Sequence, residues 1–147
     1  NDFASEVIAL DIAGAEGDVL DFETHEVGSS VLTVEADATG TANLVSSIAG
    51  ISSGTVTANV ANGILTVAGA NAADVDTLAE WVDVAAAIAA TEDEVLAFEF
   101  SGSTYVYSDN GLSTDYLVQL DGLTGVSGLW VTAASGTVGG EGYIIIA

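Results

Sequence analysis

The chain has no lysine and no arginine, so its 22 aspartates and glutamates have only His25 and the amino terminus to answer them. The formal net charge of −22 at pH 7 is therefore uncompensated within the chain. Two carboxylates about 4 Å apart repel by roughly 4 kcal/mol at an effective dielectric of about 20, so close clusters call for distance, protonation or bound cations. Calcium, plentiful in extracellular fluids, is the cofactor this composition leads one to expect. The same absence excludes nucleic acid and anionic membranes as direct electrostatic partners, because binding at phosphates depends on cationic side chains.

Cysteine, proline and methionine are missing as well. Without cysteine no disulfide can hold the fold, and a secreted chain of this kind would rely on its core and on metal. Without proline there is no slow prolyl isomerisation, and without Lys or Arg there is no trypsin site. A first residue other than Met leads us to expect a processed chain or a fragment. There is no apolar run of membrane-spanning length and no cationic leader, so neither a membrane helix nor a Sec-type signal is expected.

What is present is apolar: hydrophobic residues make up 50% of the chain, and 147 residues suffice for a single domain over 1–147 with a sizeable core. The charged fraction of 15% is below the roughly 25% of an ordinary domain. The acids are not over-represented; their counterparts are missing.

Period-two alternation dominates the pattern. In Glu94–Gly122, Val95, Ala97 and Glu99 fall on one face and Leu96, Phe98 and Phe100 on the other. Alternation resumes at Thr104–Ser108, which makes a hairpin, and Tyr116, Val118 and Leu120 begin a third strand. Thr55–Gly69 reads as a second hairpin turning at Asn62-Gly63, residues that tolerate the positive φ of a type I′ turn. Val56, Ala58 and Val60 should face Ile64 or Leu65 together with Val67. Short strands are expected at Glu6–Ile12, Asp18–Phe22 and Val31–Glu35. A turn is expected at Asp37–Thr41 and a short helix at Thr41–Gly50, burying Leu44, Val45 and Ile48.

Asn71–Ala90 has the helical period. Leu78, Trp81, Val82, Ala85, Ile88 and Ala89 form one apolar stripe, with Asn71 or Asp74 as the cap. Glu92, Asp93 and Glu94 then set negative charge at the negative end of the helix dipole; solvation is the expected remedy and a bound cation the alternative. Trp130 is expected to pack. The apolar ending Glu141–Ala147 would be a paired strand if buried and an invitation to another chain if left open.

Oxygen ligands gather at strand ends. Asp109, Asn110, Asp115 and Asp121 form one candidate calcium loop set, and Asp11, Glu16, Asp18 and Asp21 a second; solvated turn acids are the alternative for both. His25, flanked by Glu23 and Glu26, lacks any nucleophile or metal motif around it and reads as a surface residue.

The helix containing Trp81-Val82-Asp83, the hairpin Ala97–Asn110 with its Gly102-Ser103-Thr104-Tyr105 step and Asp109-Asn110 turn, and the strand Thr114–Leu123 together resemble a domain at the carboxyl end of bacterial type I-secreted, calcium-dependent surface proteins, S-layer and RTX-like proteins among them. The resemblance spans residues 73–129. It implies export through a type I system with an uncleaved carboxyl-terminal signal, to which Glu141–Ala147 is similar, calcium-assisted folding outside the cell, and a structural or adhesive role. The glycine- and aspartate-rich nonapeptides of calcium β-rolls are absent, so calcium would sit at isolated loops.

The expectation is a mainly β fold, a β-sandwich or roll-like stack with one packed amphipathic helix. It would serve as a non-enzymatic subunit of a secreted, cell-surface or extracellular-matrix assembly: an S-layer, surface fibre or matrix filament, as a homo-oligomer or polymer. The alternative is a non-assembling adhesin module that binds a cell-surface glycan by stacking it on Tyr105, Tyr107, Tyr116 or Trp130.

Overall fold

The computed structural model describes residues 4–8, 18–21, 33–34, 38–44, 56–109, 111, 115–133 and 142–146. The fold is mainly β: a large mixed sheet, a small sheet and one helix. The strands are β1 (Ala4–Ile8), β2 (Asp18–Asp21), β3 (Thr33–Val34), β4 (Ala38–Leu44), β5 (Val56–Ala61), β6 (Ile64–Ala68), β7 (Glu94–Phe100), β8 (Ser103–Ser108), β9 (Tyr116–Leu120), β10 (Leu129–Ala133) and β11 (Gly142–Ile146), and the helix is α1 (Leu78–Ile88). The eight-stranded sheet runs β1-β9-β8-β7-β6-β5-β4, with β3 also paired to β7; the three-stranded sheet runs β10-β11-β2.

Both predicted hairpins form. Asn62 (φ 52°) and Gly63 (φ 76°) turn β5 into β6, and Ser101 (φ 52°) and Gly102 (φ 85°) turn β7 into β8. Positive φ at both central residues matches the twist of the flanking strands. Strands β6 and β7 are parallel, in register at Ile64 and Ala97. Parallel neighbours need a crossover, and the crossover here is α1. Its cap is Thr77, not Asn71 or Asp74: the Glu80 N–H donates to Thr77 Oγ1, and Glu80 Oε2 accepts from the Thr77 N–H at 2.9 Å. A reciprocal box of this kind is worth about 1 kcal/mol. Asn71 instead precedes a 3₁₀ turn, Ala72–Asp74.

The helix lies on one face of the large sheet. Val82, Val84, Ala85 and Ala89 are buried with Val56, Ala58, Val60, Leu65, Leu96, Phe98, Tyr105, Tyr107 and Leu117, while Leu78, Trp81 and Ile88 pack half-buried beside them. Leu65, not Ile64, is the residue facing Val60 in this layer. Trp81, Phe98 and Tyr105 stack in series, with ring centroids 5.3 and 5.5 Å apart. Offset pairs of this sort contribute about 0.5–1.5 kcal/mol each beyond the area they bury.

The opposite face of the large sheet is covered too. Val95, Ala97, Val106, Val118 and Leu120 form a second core with Leu129 of β10 and Ile146 of β11. The alternation in β7 therefore separates two buried faces, not an inside from an outside, and all six residues of β8 are buried. The order of layers is helix, large sheet, small sheet. The apolar ending is the middle strand of its sheet, paired to β10 on one side and β2 on the other.

Four expectations need correction. Ala38–Leu44 is a strand paired to β5, so the turn expected at Asp37–Thr41 and the helix expected at Thr41–Gly50 give way to sheet as far as Leu44; residues 45–50 lie outside the described residues. Cross-strand pairing overrides a short helical spacing whose own nucleation is unfavourable. Trp130 is 50% exposed and is not packed in the core. Asp93 is only 5% exposed, so the acids after α1 are not all solvated.

Candidate functional site

The hairpin β7–β8 has a turn end and an open end, and the acids collect at the open end. Counting outward from Ser101-Gly102, the register sets Val95 opposite Ser108, which brings Glu94 alongside Asp109. Main-chain bonds lock this end. The Asp109 N–H donates to the Glu94 carbonyl at 3.0 Å and the Asp93 N–H to the Asp109 carbonyl at 2.8 Å, while the Asp93 carbonyl accepts from the Thr33 N–H at 2.8 Å. Asp93 takes a left-handed φ of 70° to do so, a conformation that aspartate adopts more readily than most residues. Glu94 Oε2 accepts from the Thr91 N–H at 2.8 Å, closing the link from helix to strand.

Two of the expected ligands meet here. Asp109 Oδ1 accepts from the Gly111 N–H at 2.7 Å, and Asp115 Oδ2 accepts from the Tyr107 hydroxyl at 2.8 Å. Burial above all, then the bond to Asp115 and the charges of Asp115 and Asp109, push the Tyr107 hydroxyl well above its ordinary value of 10.0. It stays a neutral donor, and its contribution to stability is complete below pH 10 and lost only as pH rises further. The side chain of Glu92 lies against Gly111, where a Cβ would come within 2.5 Å of Glu92 Cγ. Ser108 is buried at this end, and its Oγ has no hydrogen-bond partner among the described residues.

Asp121 does not join them. It stands beyond the other end of β9, where its Oδ1 accepts from the Ser103 hydroxyl at 3.3 Å. Five strand residues separate Asp115 from Asp121, which at about 3.3 Å per residue is roughly 20 Å. Ser103 Oγ also accepts from the Gly122 N–H and from Gln119 Nε2, and Glu99 Oε1 accepts from the Gly125 N–H, so the turn end has its own polar network. Of the second set, Asp18 and Asp21 occupy the two ends of β2. Asn110, Asp11 and Glu16 lie outside the described residues, as does His25.

The sequence reading missed Asp93 and Glu94 as neighbours of Asp109, although the two-residue turn at Ser101-Gly102 carries the signal: it fixes the register of everything behind it. Among the described residues, no three acids or histidines converge in a way that could hold a metal ion. The open end is an acidic surface in which the Asp109 and Asp115 carboxylates already serve as structural acceptors. Of the four aromatics considered as glycan platforms, Tyr105 and Tyr107 are core, Tyr116 is half-buried and Trp130 is exposed. Among the described residues no helix is long and apolar enough to cross a membrane. Comparison with known protein families, with curated proteins and with solved structures finds no match to this chain.

Proposed function

We propose that this chain is a structural subunit of an extracellular assembly, an S-layer, surface fibre or matrix filament, that associates with copies of itself through its β-strands while dissolved calcium screens its carboxylates. The observation that carries this reading is the combination of 22 acids and no lysine or arginine with two sheets whose outer strands have no further strand partner among the described residues. Open strands invite pairing. An all-acid surface opposes it until cations lower the repulsion between copies. Calcium acts here at the interface between subunits, in keeping with the lack of a converging ligand set among the described residues.

The test is imaging and light scattering of the purified protein with calcium and with a chelator. Ordered polymers in calcium that disperse on chelation are expected; a monodisperse monomer under both conditions overturns the proposal. One observation favours a second reading, a glycan-binding adhesin: Trp130 presents half of its surface to solvent. Saturable quenching of tryptophan fluorescence by a neutral oligosaccharide, with no polymer formed, would select it.

A further inference from the structure

The acids are unevenly distributed between strands that lie at the edges of the two sheets. In the large sheet, edge strand β1 carries Glu6, whereas the opposite edge, β4, has no acid; in the small sheet, edge strand β2 carries Asp18 and Asp21, whereas β10 has none. Charged residues on an edge strand are a common defence against unwanted pairing. Among the described residues each sheet therefore has one edge strand that carries an acid and one that carries none.

The two acid-free edge strands differ. Strand β4 has a register shift between Ala38 and Ala42, an irregularity that bends an edge away from a partner. Strand β10 is regular along its whole pairing with β11, from Leu129 opposite Ile146 to Ala133 opposite Gly142. Its sequence, Leu-Trp-Val-Thr-Ala, is β-prone, and residues 122–140 hold no acid at all.

The direction of the free groups follows from one bond. The Leu129 N–H donates to the Asn62 carbonyl at 2.9 Å, away from β11. In an antiparallel pair alternate residues point their main-chain groups to the same side, so Val131 and Ala133 also direct N–H and C=O outward, and among the described residues no strand pairs with them. Next to them stands Trp130, the only exposed large hydrophobic residue among the described ones. Its ring lies over Gly128, where a Cβ would be 3.0 Å from Trp130 Cη2.

We propose that β10 is the strand through which a second copy of this chain docks, antiparallel about a two-fold axis at Thr132, so that Val131 of each copy meets Ala133 of the other. This rests on the assembly reading above and names its first contact. Charge selects the occupant. A cationic partner would be drawn to the acid-bearing edges β1 and β2, whereas a second copy, repelled there, meets no carboxylate on β10 itself. A two-fold contact is self-complementary and gives a dimer as the building block.

The test uses the full chain in calcium, followed by sedimentation velocity. Val131→Pro removes the outward N–H of each copy, two of the four main-chain bonds, and leaves the bonds to β11 in place; it should weaken dimerisation about tenfold or more. Trp130→Glu leaves the main chain alone and removes the exposed indole beside the contact, so it should also weaken dimerisation, which covers the case of a proline variant that folds poorly. Ala42→Glu on β4 should dimerise like the parent. In Trp81→Phe, tryptophan emission reports Trp130 alone and should shift to the blue on dimerisation. A parent that associates while Val131→Pro and Trp130→Glu do so equally well overturns the β10 contact and leaves the assembly reading standing. A parent that is monomeric at all concentrations, with or without calcium, overturns both.

Discussion

The two hairpin turns are nearly identical as backbone and opposite in surroundings. Asn62-Gly63 and Ser101-Gly102 each place two residues at positive φ. A Cβ on Gly102 would meet nothing within 4 Å; one on Gly63 would lie 2.5 Å from Val34 Cγ1 and 3.1 Å from Leu129 Cβ. The Gly63 carbonyl accepts from the Ala97 N–H at 2.8 Å and the Asn62 carbonyl from Leu129. One tip ends in solvent; the other is the junction where β3, β6, β7 and β10 meet. The lesson is that a glycine chosen for its dihedral angles and a glycine chosen for its size look the same in a turn motif.

Substitution separates the two. Gly63→Ala combines a left-handed φ with a collision against β-branched Val34 and should cost about 2–4 kcal/mol, whereas Gly102→Ala should cost about 1 kcal/mol for the dihedral alone. Equal losses in chemical denaturation would show that enclosure of the first turn contributes nothing. Gly111 is an intermediate case: the nominal clash is again 2.5 Å, but the obstacle is the side chain of the exposed Glu92. Gly111→Ala should cost about 1–2 kcal/mol, and measured against a Glu92→Gly background, which also removes the Cβ that would lie 2.8 Å away, its cost should fall to the level of Gly102→Ala.

The cap of α1 supplies the smallest effect and a control that no glycine touches. The Thr77 hydroxyl, then the Thr77 N–H, hold the Glu80 carboxyl below its ordinary value of 4.5. Since the folded value is depressed, this contribution is complete above pH 4.5 and fades as pH falls through the folded value. Glu80→Gln should therefore flatten the acid side of the stability curve; an unchanged slope between pH 5 and pH 3 would remove Glu80 from that account.

The legible features were those set by local chemistry: the turn dipeptides, the strand period and the apolar stripe of α1 from Leu78 to Ala89. Register followed from the turns, so the approach of Glu94 to Asp109 was within reach. The enclosure of Gly63 was not, because Val34, Ala97 and Leu129 arrive from distant parts of the chain. Nor could alternation in Val95–Phe100 reveal that both faces are covered, since the second cover comes from β10 and β11. Leu44 was misread because its spacing to Val45 and Ile48 mimics a helical face. For the candidate ligands, nearness in sequence grouped Asp121 with Asp115, whereas the strand between them sets them at opposite ends.

The position of β11 governs when the molecule can fold. The strand is distant in sequence from β2, yet both neighbours in its sheet need it. Until residues 142–146 emerge, β10 and β2 lack their shared partner and the second core lacks Ile146. Closing so long a loop is slow. A chain in which residues 142–146 have not yet docked therefore leaves the small sheet without its middle strand and the second core open.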